Sequence, residues 1–278
     1  VSQTDGDVLT ADDLRRVGDI LYRSTGMTFG ENKRYYIERR LAERVARSGA
    51  RDTSAYLAAL SADASEIEKL INAFTINETY FYREEHQLRA LSRSILPDIV
   101  RDRRPGDLVR IWSMPCSSGE EPYSIAIWLL ENWPMVDAWH VEIVGSDIDT
   151  GALAQAKEGL YGERALSRLP ADVRERYFGP VRQYRREIID DIKESVEFRP
   201  ANLIDAASMA RQARFDVIFC RNLLIYFDER SREIAAERLY DALNPGGFLC
   251  LGHTESMARI SDRFELVRFD DAIVYRRR

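Results

Sequence analysis

From residue 108 onward the chain alternates short apolar runs with helix-like stretches, and this alternation limits the fold more than any other feature. The runs at 108–112, 141–145, 196–198, 215–220 and 248–251 are rich in Val, Ile, Leu and Phe, and helical patterns near 121–132, 150–158, 205–212 and 229–243 separate them. Strands joined through helices pair in parallel, and a parallel sheet must be covered on both faces, so an α/β domain with a mainly parallel sheet is predicted. Runs at 264–268 and 271–275 suit a closing antiparallel pair. One region breaks the order: 161–195 holds a short helix and a polar stretch around 183–194, expected as a small hairpin subdomain inserted between the second helix and the third strand.

Upstream the pattern is helical only. Thr10 with Asp13 has the form of a capping arrangement, and Leu14, Val17, Ile20 and Leu21 continue an apolar stripe as far as Gly26. Across 28–51, Lys33, Arg34, Arg39, Arg40, Arg44, Arg47 and Arg51 outnumber Glu31, Glu38 and Glu43, while Ile37, Leu41 and Val45 recur every four residues. One amphipathic helix with a basic outer face is predicted there. Such a face is either solvated and bridged to its own glutamates or a docking surface. Stretches 56–60 and 67–74 supply two more short helices. Residues 1–82 are therefore expected to form a small all-helical domain, and 83–278 a larger one that begins with a helix running to about 102. That agrees with the soft prior of two domains for 278 residues.

Composition excludes several classes. The net charge of -6 disfavours a general nucleic-acid binder. Three cysteines, Cys116, Cys220 and Cys250, are odd in number and far apart, which disfavours a disulfide framework or a cysteine zinc site and suits a reducing compartment. His86, His140 and His253 are scattered without ligand spacing, so no metal is expected. No apolar run approaches the roughly 18 residues of a membrane span, and Val1 to Asp7 lacks the basic-then-apolar pattern of a signal peptide. A cytoplasmic chain without membrane insertion is expected, its native start carrying at least an initiator methionine before Val1.

In open α/β sheets ligands bind beyond the carboxyl ends of the strands. Four successive predicted strands end in polar residues: Ser113 to Pro122, Ser146-Asp147-Ile148-Asp149, Pro200-Ala201-Asn202-Leu203, and Arg221-Asn222. The first of these loops has a single glycine, Gly119, followed by Glu120 and Glu121, and neither G-x-G-x-x-G nor G-x-x-x-x-G-K-[ST] occurs. Two acids at a helix start repel phosphate and favour a cation; alternatively they complement the helix dipole. Asp147 can accept hydrogen bonds from ribose hydroxyls, or can cap a helix, a role equally open to Asp149. A nucleoside with a cationic, phosphate-free tail satisfies both loops, and S-adenosylmethionine is such a ligand.

At the level of motifs the chain resembles the CheR-type chemotaxis receptor methyltransferases. The resemblance rests on Asn77-Glu78-Thr79-Tyr80-Phe81-Tyr82-Arg83-Glu84, Ser118-Gly119-Glu120-Glu121-Pro122-Tyr123-Ser124, Ser146-Asp147-Ile148-Asp149, and Phe219-Cys220-Arg221-Asn222 with Ile225-Tyr226-Phe227, and it spans nearly the whole chain. Departures are Tyr80 and Tyr82 around Phe81, and Met114-Pro115-Cys116 where small residues are usual. The resemblance implies a Rossmann-like methyltransferase sheet with a helical N-terminal domain and an inserted β-subdomain at 161–195. It also implies methyl transfer from S-adenosylmethionine, with S-adenosylhomocysteine as product, to glutamates on the cytoplasmic helices of chemoreceptors. By the same resemblance Asn77, Thr79, Arg83, Glu121, Asp147, Asn202, Leu203, Arg221 and Asn222 line the cofactor pocket. Glu121 would face the ammonium, Asp147 the ribose, Asn202 and Leu203 the adenine, and Arg83 carboxylates.

A substrate glutamate, with a pKa near ~4.3, is its own ionised nucleophile, so no catalytic base is required. Tyr226 is expected to orient it, with Arg83 holding charge nearby. Arg39, Arg40, Arg44 and Arg47 become the expected contacts to an acidic receptor bundle. The inserted subdomain is similar to one that in some family members tethers a receptor's C-terminal peptide. Two rivals stay open: a methyltransferase with another acceptor, and a module that binds the cofactor without turnover.

Overall fold

The computed structural model describes residues 10–29, 33–60 and 63–278; Glu31 and Val1 to Asp7, invoked above, lie outside the described residues. Four helices come first, α1 (Ala11–Thr25), α2 (Arg34–Ser48), α3 (Thr53–Leu60) and α4 (Ala64–Phe74). α1 starts at a reciprocal capping box, Thr10 N donating to Asp13 Oδ2 and Asp13 N to Thr10 Oγ1, both at 3.1 Å. It ends at Gly26, whose φ of 72° is left-handed. Val17, Leu21, Ile37, Leu41, Tyr56, Leu57, Leu60, Leu70 and Phe74 form one buried cluster among the four helices. α2 is shorter than the 28–51 expected. Gly49, with φ 74°, stops it, and Thr28 leaves helix geometry altogether to donate its N–H to Tyr226 O at 2.9 Å.

Next, α5 (Glu85–Ala90) and α6 (Leu96–Val100) run on through a π-helical stretch at Leu91–Ile95. Pro97 has no N–H for the carbonyl four residues back, and the ladder widens just before it, Leu96 N bonding to Leu91 O. There follow β1 (Leu108–Ser113), α7 (Glu120–Asn132), β2 (His140–Asp147), α8 (Thr150–Glu158), β3 (Leu160–Gly162), α9 (Glu163–Leu166), α10 (Ala171–Tyr177), β4 (Arg185–Glu187), α11 (Asp190–Glu194) and β5 (Val196–Pro200). The chain finishes with α12 (Ala206–Ala210), β6 (Phe215–Cys220), α13 (Glu229–Ala242), β7 (Leu243–Leu251), β8 (Phe264–Arg268) and β9 (Ile273–Arg277).

Seven strands form one sheet in the order β5-β2-β1-β6-β7-β9-β8, parallel except where β9 meets β7 and β8. Two buried layers cover its faces. Val109, Ile111 and Phe219 pack with α7 residues such as Tyr123 and Ile127 on one side. Trp112, Ile218 and Leu249 pack with Ala235, Ala236 and Leu239 of α13 on the other. Every residue of β6 is buried, as a central strand covered on both faces requires.

The larger departures from expectation concern β7, β9 and the insert. β7 begins at Leu243 rather than 248, because Pro245-Gly246-Gly247 is accommodated as an irregularity opposite Phe215 and Val217. β9 begins two residues late because Phe269 N bonds to Ala272 O and closes the turn there. The insert is not a plain hairpin: β3 and β4 pair antiparallel, but α9 and α10 intervene. The tight turn lies instead between Arg182 and Arg185, with Gln183 and Tyr184 both at positive φ. The insert is fused to the body through Phe81, whose ring meets Tyr161 and Phe178 edge-on and whose N–H donates to Ala165 O at 2.9 Å.

Candidate active site

The sheet order reverses between β1 and β6, and the chemistry collects at their carboxyl ends. Ser113, the last residue of β1, donates its hydroxyl to Glu121 Oε1 at 2.8 Å, and Arg221, the first residue past β6, donates Nη1 to Glu121 Oε2 at 2.9 Å. Arg221 also lies 3.4 Å from Glu84 and donates to Arg83 O at 2.8 Å. The guanidinium is 3% exposed and its two carboxylates 12% and 14%. Two acids thus share one buried cation, with the exposed His253 Nδ1 3.1 Å from Glu84 as a further partner; when both acids are ionised and His253 is neutral, the cluster carries a surplus negative charge. Burial pushes Glu121 up, only partly opposed by Arg221 and Ser113. Burial acts on Glu84 in the same sense, but Arg221 and His253 outweigh it and hold that carboxyl below the usual range.

Asp147 closes β2 and is 3% exposed; Oδ2 accepts Ser117 N at 2.7 Å and Oδ1 accepts Asp149 N at 2.9 Å. Burial pushes its carboxyl up to about 6 in spite of those donors. The capping role left open between the two aspartates belongs to Asp149, whose Oδ1 accepts Ala152 N at 3.0 Å at the start of α8. Its other oxygen accepts Asn77 Nδ2 at 2.7 Å, and Asn77 Oδ1 takes Ser117 Oγ at 3.1 Å. Asn77 therefore ties the segment after α4 to both strand-tip loops. Thr79 lies beside it in a cleft walled by Tyr36 and Arg40 of α2 and by Gly162, Arg164 and Arg185 of the insert.

Arg83 donates Nη1 to Glu78 O at 2.7 Å and stands 5.8 Å from the Tyr80 ring; among the described residues it forms no ion pair. Tyr226 sits in a 3-10 turn at Leu224–Tyr226, with Lys33 Nζ 5.1 Å from its ring centroid. Burial pushes its phenol up although Arg83 pulls it down, so the hydroxyl keeps its proton at neutral pH. Asn222 adopts φ 59°, one of a group with Tyr82, Glu84 and Ser117 in which residues other than glycine take positive φ around this site. Asn202 and Leu203 follow β5 but are engaged inward. Asn202 Nδ2 donates to Ser24 O at 2.7 Å, Oδ1 accepts Ile204 N at 3.1 Å, and Leu203 is buried in the core.

Glu120 and Glu121, treated alike in the sequence, diverge. Glu120 turns to Ser118, whose hydroxyl donates at 2.8 Å, and is buried away from Arg221's cluster. Gly119 permits the close fold of this loop: at φ 93°, a Cβ there would lie 2.9 Å from Ala156 Cβ and 3.1 Å from the Tyr161 hydroxyl. Sequence reasoning did not find Glu84, Ser117 or Glu255. Glu255 accepts Asn222 N and Leu224 N, each at 2.7 Å, and Gly252 N at 2.8 Å. Its signal was available, since Gly252-His253-Thr254-Glu255 is the polar end of β7, alongside the four strand ends already singled out.

On α2, Arg39 and Arg40 stand 3.7 Å from Glu43, and Arg47 is exposed. Arg44 does not belong with them. It turns inward to Glu66, Nε donating at 3.0 Å, and Glu66 also accepts the Tyr56 hydroxyl at 2.9 Å. No helix of the described residues is long and apolar enough to cross a membrane.

Comparison with known proteins adds to this geometry. The family model of the S-adenosylmethionine-binding domain of CheR methyltransferases matches residues 77–273, and that of their all-alpha domain matches residues 12–75. Chemotaxis protein methyltransferase 2 of Vibrio cholerae serotype O1 is 47% identical over 270 residues, covering 96% of this chain and 93% of its own. Chemotaxis protein methyltransferase 2 of Pseudomonas aeruginosa is 36% identical over 270 residues, covering 96% and 93%. Among solved structures, N-methyltransferase NodS from Bradyrhizobium japonicum with S-adenosyl-l-homocysteine is 14% identical with a TM-score of 0.39, covering 74% of this chain and 92% of its own.

Proposed function

The chain belongs to the CheR methyltransferase family and is an S-adenosylmethionine-dependent methyltransferase of chemotaxis, and from that premise we propose that it esterifies glutamate side chains on the cytoplasmic helices of chemoreceptors. The observation that carries the reading is the buried trio of Glu84, Arg221 and Glu121 at the point where strand order reverses. Its surplus negative charge suits an ammonium, and the guanidinium of Arg83, which pairs with no acid of the described chain, suits a carboxylate. A zwitterionic methionine tail needs both.

S-adenosylmethionine supplies a methyl group made electrophilic by a sulfonium. In this reading Glu121, backed by Glu84 and Arg221, holds the ammonium, and Asp147 accepts from the ribose. Asn77, Thr79 and Asn222 complete the walls. Asn202 and Leu203 sit where adenine is expected, but with Asn202 bonded to Ser24 and Ile204 and the Leu203 side chain buried, contact there falls mainly to backbone. The incoming glutamate is already ionised, so the work left to the protein is placement. Tyr226 offers a protonated hydroxyl and Arg83 a positive charge on the side where that carboxylate must arrive. Orientation of this kind can supply roughly 7–11 kcal/mol of barrier reduction.

Residues 1–82 then act as the docking domain, 83–278 as the transfer domain and 161–195 as an accessory β-subdomain, all on the cytoplasmic side where receptor helices lie. Arg39, Arg40 and Arg47 face an acidic bundle; Arg44 is withdrawn from this role because its charge is already matched by Glu66. With the far side of β4 already bridged by the 178–182 segment, the outer edge of β3 is where a receptor's C-terminal peptide would add as a strand. Incubation with methyl-labelled cofactor and receptor cytoplasmic fragments, with and without their C-terminal peptides, tests the whole reading. Base-labile label on glutamate is the expected product. Tight cofactor binding with no label on any fragment would favour a non-catalytic module.

A further inference from the structure

Five strand ends face the site, and the one that no reading of cofactor or acceptor employs is that of β7. Glu255 lies in the turn after it, closed by Glu255 N bonding to Gly252 O at 2.9 Å. Its side chain faces backbone. Oε2 accepts Asn222 N at 2.7 Å and Gly252 N at 2.8 Å, while Oε1 accepts Leu224 N at 2.7 Å. Three N–H groups from two strand ends thus converge on one carboxylate. Asn222 sits at φ 59°, a left-handed conformation that asparagine enters more readily than most residues, and the Glu255 bond to its N–H pins it there. The fit is close: a Cβ on Gly252 would stand 2.7 Å from Glu255 Oε2 and 3.0 Å from Asn222 Nδ2.

The segment so held is the one that carries Arg221, Asn222 and Tyr226. Arg221 has its own partners in Glu121, Glu84 and the Arg83 carbonyl. Tyr226 has none of these. Its turn is fixed from outside by Thr28 N donating to Tyr226 O at 2.9 Å, and from inside by the Leu224 N bond to Glu255. We infer that Glu255 is a positioning residue for methyl transfer: its carboxylate clamps the Asn222–Leu224 backbone and so aims Tyr226 at the acceptor. The inference rests on the proposed function, since Tyr226 is the group that meets the acceptor in that reading.

Glu255→Gln is nearly isosteric but presents one oxygen and one NH2 to donors on both sides, so one side of the clamp must open. Glu255→Asp keeps the charge and both oxygens and is the rescue variant. Amide exchange of the peptide spanning 221–227, followed by mass spectrometry on the full chain, reads the clamp without any acceptor. Titration with S-adenosylhomocysteine reads the cofactor side, and initial rates on receptor fragments separate kcat from KM. For Glu255→Gln the expected results are at least ~10-fold faster exchange in 221–227 and a kcat lowered ~30-fold, about 2 kcal/mol at 1.36 kcal/mol per factor of ten. The dissociation constant for S-adenosylhomocysteine should rise no more than ~5-fold, well short of the fall in kcat, because Arg221 keeps its partners and only Asn222, one wall of the cofactor pocket, loses part of its hold. Glu255→Asp should recover part of both losses. Unchanged exchange, or faster exchange with unchanged kcat, overturns the inference; so does a loss in which Glu255→Asp is no better than Glu255→Gln. An inactive wild-type chain on every receptor fragment would instead overturn the functional reading, while the exchange comparison still decides whether Glu255 holds the loop.

Discussion

Replacing Glu121 by Gln tests the electrostatic core of the site with almost no change of shape. The substitution leaves Glu84 and Arg221 as a neutral pair 3.4 Å apart and keeps an amide oxygen within reach of Ser113 or Arg221. Folding should tolerate it. A buried carboxylate whose pKa is already raised by burial costs free energy to keep ionised, and losing that cost offsets the weaker bond to Arg221, so the net change in stability should stay within about 1–2 kcal/mol. Binding should suffer more. At an effective dielectric of ~20, a unit charge about 4 Å from another is worth roughly 4 kcal/mol before the ligand's lost hydration is subtracted. Net values for hydrogen bonds to charged groups are roughly 1.5–3 kcal/mol, and about 2 kcal/mol corresponds to a ~30-fold weaker dissociation constant. Calorimetric titration with S-adenosylhomocysteine, which carries the same amino-acid tail and cannot turn over, measures it, with urea unfolding in parallel. An affinity within threefold of wild type in a normally folded variant would show that the surplus charge of the trio is not what holds the ammonium.

The remaining predictions concern the other parts of the site. Tyr226→Phe should lower turnover ~10- to 100-fold and leave affinity for S-adenosylhomocysteine within about threefold, as measured by rates on receptor fragments against titration. With Asp147 at about 6 in the folded chain and near ~3.9 unfolded, the folded state holds the extra proton between those values, so this group's contribution to stability is greatest below ~3.9 and is lost as pH rises through about 6. Cofactor affinity should run the other way, falling about tenfold per pH unit below about 6 as Asp147, the proposed ribose acceptor, protonates, and Asp147→Asn should flatten that profile. Charge reversal at Arg39 and Arg47 together should slow methylation at low salt and reduce its salt dependence without changing cofactor affinity. Arg44→Ala should instead lower the melting temperature, leaving Glu66 without its buried partner. Gly119→Ala should destabilise the fold by roughly 1–3 kcal/mol in thermal or urea unfolding, because its Cβ would meet Ala156.

How much of this was legible in the chain depended on whether a feature is local. β6 was found to the residue because a strand buried on both faces is apolar throughout, and α1 because its cap and its glycine stop are written within sixteen residues of each other. α2 was over-extended because nothing near Thr28 announces that its N–H will pair with Tyr226, 198 positions away. Arg44 looked like its neighbours because four-residue spacing ranks it on the polar side. Only the packing of α4 against α2 brings Glu66 to it. Strand tips were the exception, being local in sequence and convergent in space. Polar ends on β1, β2, β5 and β6 marked the edge where these side chains converge, yet not which carboxylate meets which cation, since Glu121 and Arg221 are 100 positions apart. The same rule extended to β7 picks out Glu255. Each parallel strand delivers its next few residues to the same edge, so an unused polar end at that edge is the natural place to look for what holds the others in position.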